Sequence, residues 1–84
     1  PHRVLDDEAR YRLLKLLEQD PEITQRELAG ALGMSLGKAN YCVRVVVESG
    51  WVELGRTSQS SNKAAYSYQL TPRGLREKIG AARR

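Results

Sequence analysis

Between Thr24 and Gly50 the apolar positions recur at helical spacing in two short runs, and a glycine separates the first run from the second. In the first run Leu28, Ala29 and Leu32 share one face. Thr24 lies three places before Glu27, the spacing at which a threonine hydroxyl and a glutamate carboxylate cap a helix start reciprocally, so the helix begins near Gln25. Gly33 follows the last apolar residue and suits the left-handed backbone that ends many helices. Met34 then plugs the turn, and the Ser35 hydroxyl can accept from the free amides of the next helix. Two short helices joined this tightly have the layout of a helix-turn-helix.

On a wheel of about 100° per residue, Leu36, Ala39, Val43, Val46 and Val47 gather on one side of the second helix and are expected in the core. The opposite arc carries Gly37, Lys38, Tyr41 and Arg44, with Asn40 at its edge. Polar arcs are commonly only solvated. This one combines a glycine, which lets a backbone approach closely, with side chains that donate to phosphates and base edges.

After Gly50 the period changes. Trp51, Val52 and Leu54 form a short apolar run; Gly55 to Lys63 (GRTSQSSNK) is a polar loop; and Tyr66, Tyr68 and Leu70 alternate with Ala65, Ser67 and Gln69. Three helices followed by a hairpin make a winged helix. The loop is the wing, and Arg56 and Lys63 on its stems can reach a sugar-phosphate backbone or a minor groove. Its Ser, Gln and Asn content also fits a flexible linker, so the expectation is mobility when free and order on DNA.

The flanks complete the pattern. Leu5 to Leu17 reads as a first helix, with Asp6, Asp7 and Glu8 at the positive end of its dipole, an apolar stripe of Ala9, Leu13, Leu16 and Leu17, and Asp20-Pro21 as its end. Tyr11 falls on the far side near Lys15, as a surface residue or part of a subunit contact. Thr71-Pro72 caps and starts a last helix with a thin stripe of Leu75 and Ile79, weakened by Gly74 and Gly80 and expected to need a partner surface. The expected fold is mainly α with a small β-hairpin: a winged helix-turn-helix of three-helix core, two-stranded wing and C-terminal helix.

Length and charge sharpen this. At 84 residues there is room for one small core, expected over residues 4–84, with residues 1–3 a processing remnant and no separate catalytic or ligand-binding domain. The net charge of +4 is unevenly spread: residues 1–34 carry five Lys and Arg against seven Asp and Glu, while residues 35–84 carry nine against three. The positive half starts at the second helix of the pair, the footprint expected of a surface that binds phosphates. Double-stranded DNA is the partner this implies; a protein-binding module using the same basic face on an acidic partner is the alternative.

Other chemistry is poorly provided for. With His2 and Cys42 as the only soft ligands, neither a metal site, a cofactor nor a nucleophile-base pair is expected, and the protein is read as non-enzymatic. Cys42 sits on the flank of the second helix, in a half-buried packing role or as a redox switch. The lone cysteine fits a reducing cytoplasm, and no stretch has the length and apolarity of a membrane span.

The strings Leu5-Asp6-Asp7-Glu8, Tyr11-Arg12-Leu13-Leu14-Lys15-Leu16-Leu17, Gln25-Arg26-Glu27-Leu28-Ala29, Ser35-Leu36-Gly37-Lys38 with Asn40-Tyr41-Cys42, and Tyr66 to Gly74 (YSYQLTPRG) resemble the small MarR-type regulators associated with exopolysaccharide gene clusters. The likeness spans about residues 4–80. Its specific part is SLGK-x-NYC; the Leu-Thr-Pro-x-Gly segment is common to many MarR-like winged helices. The resemblance implies a bacterial transcriptional regulator acting on polysaccharide genes. It carries the family's recognition-helix role onto Ser35, Gly37, Lys38, Asn40, Tyr41 and Arg44. It also implies a homodimer. Members usually continue past the last helix into a charged segment that pairs subunits, whereas this chain stops at Arg84, so that contact is expected to be incomplete. The region where larger members hold small effectors is hardly represented, and no ligand pocket is expected.

Overall fold

The computed structural model of the protein describes residues 5–56 and 66–83. The elements run α1 (Asp7–Gln19), α2 (Gln25–Leu32), α3 (Leu36–Glu48), β1 (Val52–Arg56), β2 (Tyr66–Leu70) and α4 (Pro72–Arg83). This is the expected winged helix-turn-helix order.

Local chemistry sets the helix ends. Asp6 caps α1 by accepting from the Ala9 amide at 2.8 Å, and Asp20 closes it with its own amide on the Leu16 carbonyl. Thr24 and Glu27 form the full capping box on α2. Gly33 then adopts φ 67°, and the Met34 amide reaches the Ala29 carbonyl at 3.0 Å while the Gly33 amide reaches Gly30 at 3.3 Å. That pair of bonds is a Schellman ending. α3 finishes the same way around Gly50, at φ 79°, with Trp51 bonded to Val46 and Gly50 to Val47.

β1 and β2 pair antiparallel, with Val52 opposite Leu70 and Arg56 opposite Tyr66. The Tyr68 amide donates to the Pro21 carbonyl at 2.8 Å, which ties the hairpin to the turn before α2.

The core departs from the wheel in informative ways. α1 packs on α2, β2 and α4 together, so Leu13, Leu14 and Leu17 are all fully buried while Ala9 and Leu16, expected in the stripe, are only half-buried. Each such leucine contributes about 2 kcal/mol of burial. α3 buries Ala39, Cys42, Val43 and Val46, the i, i+3, i+4, i+7 face. Its packed part begins one turn in. Leu36, expected in the core, is therefore 46% exposed, Val47 is half-buried, and Cys42, expected on the flank, is fully buried.

On α4, Leu75 and Ile79 face outward, 39% and 52% exposed, and the helix buries Gly74 and Ala81. It is held by Thr71, whose hydroxyl donates to the Gly50 carbonyl at 2.7 Å and accepts from the Gly74 amide at 3.0 Å. Ion pairs from α1, Arg10 to Glu77 and Glu18 to Lys78, clasp its middle turn.

Candidate nucleic-acid interface

Burying Ala39, Cys42, Val43 and Val46 turns the opposite side of α3 to solvent. Gly37, Lys38, Asn40, Tyr41 and Arg44 are all exposed there, as the wheel predicts. Ser35 is exposed as well, but its hydroxyl serves the helix by accepting from the Lys38 amide at 3.1 Å. A cap of this kind fixes the direction in which the first turn, and with it Lys38, leaves the protein.

Leu36 joins this surface. Its exposure places an apolar side chain beside Gly37 and Lys38, where apolar contact with a thymine methyl group is one of the ordinary modes of base readout. At Gly37 an added Cβ would meet nothing within 4 Å, so the fold makes no demand for glycine there.

The polar groups are ordered among themselves. The Asn40 Nδ2 donates to Gln25 Oε1 at 2.8 Å, across from α3 to α2, and Arg44 Nη2 donates to Asn40 Oδ1 at 3.3 Å, one turn along α3. The phenol of Tyr68 on β2 lies near Gln25; burial pushes it above its ordinary value, the Gln25 side chain opposes the rise, and the neighbouring Tyr66 adds to it. Sequence reading missed Gln25 because its role depends on the crossing of two helices; as the first residue of α2 it reads as a neutral helix former.

Cys42 lies beneath this surface. Burial raises its thiol above the usual range, only partly countered by the Lys38 charge, so at neutral pH it is protonated and a poor nucleophile. Of the two wing cations, Arg56 ends β1, its side chain being outside the described residues, and Lys63 lies outside them altogether. Between α1 and α2, Tyr11, Arg12, Lys15, Leu16, Gln19 and Ala31 line a shallow open cleft; the Arg12 guanidinium donates to the Ala31 carbonyl at 2.9 Å and Lys15 lies over the Tyr11 ring. No helix among the described residues is long and apolar enough to cross a membrane.

Three helices, a two-stranded antiparallel wing and a polar face on the third helix define a nucleic-acid-binding fold. Residues 6–53 match the family described as winged helix-turn-helix DNA-binding, and the chain belongs to that family.

Solved structures refine the likeness. A Mycobacterium tuberculosis MarR family protein in complex with salicylic acid is 26% identical, with a TM-score of 0.70 over 88% of this chain and 53% of that one. The PcaV transcriptional regulator of Streptomyces coelicolor, with its natural ligand, is 23% identical, with a TM-score of 0.72 over 89% and 52%. FabT of Streptococcus pneumoniae, in complex with DNA, is 18% identical, with a TM-score of 0.68 over 88% and 50%. The chain thus spans about half the length of these structures, and the likeness is one of fold. No curated protein matches it.

Proposed function

We propose that the protein is a MarR-type, sequence-specific regulator that lays α3 in the major groove of double-stranded DNA and rests its wing on the backbone or minor groove. The carrying observation is the single exposed face of Leu36, Gly37, Lys38, Asn40, Tyr41 and Arg44 backed by a fully packed one. Lys38 and Arg44 supply the cations that neutralise phosphates; Asn40, Tyr41 and Arg44 supply donors and acceptors for base edges. Ser35 orients the first turn, and Arg56 and Lys63 are the wing's cations in this reading. The existence of a DNA complex of the similarly folded FabT supports DNA as the partner.

The protein acts, in this proposal, as a homodimer in the bacterial cytoplasm. Leu75 and Ile79 form an exposed apolar strip on α4 suited to a subunit contact. Two copies on a palindrome would set recognition helices about 34 to 36 Å apart, or a multiple of that. The SLGK-x-NYC resemblance makes polysaccharide biosynthesis genes the proposed targets.

The test is fluorescence anisotropy on duplexes selected from a random pool, over a salt series. Wild type should lose affinity steeply with salt, and Lys38→Ala and Arg44→Ala should each weaken binding. Loss of one phosphate contact flattens the log-log salt slope by about one unit. Unchanged affinity in both variants would overturn the assignment.

A further inference from the structure

Arginine can only donate hydrogen bonds, and this fixes the polarity of the whole chain of contacts on the α2–α3 face. Because Arg44 Nη2 points at the Asn40 amide, the atom it meets must be the oxygen. The Asn40 nitrogen then faces Gln25, which must present its own oxygen to it. One arginine thereby sets the orientation of two amides.

The two ends of this chain differ in freedom. Gln25 opens α2, where the capping box of Thr24 and Glu27 fixes the backbone, so its end is anchored in the body of the domain. Arg44 and Asn40 are exposed. A free arginine side chain on a helix surface samples many rotamers, and ordering it on DNA costs entropy. Held through Asn40, Arg44 is ordered beforehand and still has four N–H groups available, enough for the paired donors that a guanine edge requires. Asn40 likewise keeps one N–H and one oxygen lone pair.

We propose that Gln25 is a positioning residue for sequence readout: without contacting a base, it holds the Asn40 amide, and through it the Arg44 guanidinium, in the orientation that discriminates between DNA sequences. The inference rests on the DNA-binding reading above. Its signature is specific. Gln25 is neutral and turned toward protein partners, so its loss should change discrimination between sequences and leave the salt dependence alone. A residue that merely stabilised the fold would lower the melting temperature and leave the ratio of affinities intact.

The experiment uses the full chain and two duplexes of equal length, one selected from a random pool and one scrambled. Gln25→Ala should reduce the ratio of affinities by about tenfold, within the range of couplings inside one hydrogen-bonded network. The salt slope should be unchanged, and circular dichroism should show a native fold. Adding Gln25→Ala to Asn40→Ala should reduce the ratio no further. Gln25→Glu retains an acceptor for Asn40 and should keep the ratio, while its charge weakens binding to both duplexes alike. An equal loss on both duplexes for Gln25→Ala, or a full tenfold effect in the Asn40→Ala background, would overturn the proposal. If wild type discriminates and Gln25→Ala discriminates equally, only this inference fails; if wild type shows no salt-dependent binding to either duplex, the DNA-binding reading fails and takes the inference with it.

Discussion

The guanidinium of Arg10 lies 2.8 Å from the carboxylate of Glu77, joining the first helix of the chain to the last across the molecule. Arg10 is 8% exposed and makes further contacts: Asp7 accepts at 3.0 Å, the Leu5 carbonyl at 3.2 Å, and the guanidinium lies over the Trp51 ring. A charge this enclosed is tolerated only with its partners in place.

Arg10→Ala should therefore cost about 3 kcal/mol in urea-induced unfolding, because it removes the cation that bridges carboxylates on α1 and α4 and leaves a cavity against Trp51. Lys78→Ala, which breaks the more exposed pair with Glu18, should cost less than about 1 kcal/mol. Equal losses would mean that Arg10 is not the link that seats α4.

Glycine substitutions should split in sign. At Gly74 an added Cβ would lie 1.9 Å from the Trp51 carbonyl oxygen, so Gly74→Ala forces α4 off the turn that follows α3 and should destabilise by about 2 kcal/mol or more. At Gly37 the added methyl meets nothing, and Gly37→Ala should gain about 0.5 to 1 kcal/mol of helix stability. Paired thermal melts decide between them.

Gly37→Ala makes a second, independent test of the recognition face. A variant more stable than wild type yet weaker on the selected duplex would show that the bare backbone at this position serves close approach; unchanged affinity would remove that role from Gly37.

Cys42 should react slowly with a thiol reagent in the folded protein and rapidly in urea, since it is fully buried. Its ordinary value is 9.0, and burial raises it, so the folded state holds the thiol proton more tightly than the unfolded state. Stability is thus unaffected by this group below about pH 8 and falls as pH rises past 9 through the folded value; Tyr68, raised from 10.0, acts in the same direction at higher pH. Unfolding curves between pH 7 and 10 measure the decline. A Cys42→Ala variant should show a smaller one.

Leu75→Glu with Ile79→Glu should leave the melting temperature nearly unchanged, because both side chains already meet solvent. In the proposed dimer the same pair of changes should abolish association in sedimentation velocity and reduce affinity for a palindromic duplex.

Much of this architecture is legible in the order of residues alone. Ser35 as a cap, Thr24 with Glu27 as a capping box, Gly33 as a helix end, Pro72 as a first helical residue and the alternation through Tyr68 and Leu70 all appear where the sequence predicts them. Each depends on groups within about four residues of one another, and so the chain's own order is enough. The exposed arc of α3 belongs to the same set, since it follows from helical periodicity.

Tertiary packing decided the rest. Leu36 is exposed and Cys42 buried because the body of the domain meets α3 only from its second turn onward. Arg10 is enclosed, and Gly74 must be glycine, because α4 returns to lie against α1 and the Trp51 backbone. Gln25 meets Asn40 fifteen residues away only because α2 and α3 cross there. Local order along the chain sets which residues cap, turn and share a face; which of those faces are covered, and which polar groups find each other, follows from where the elements dock.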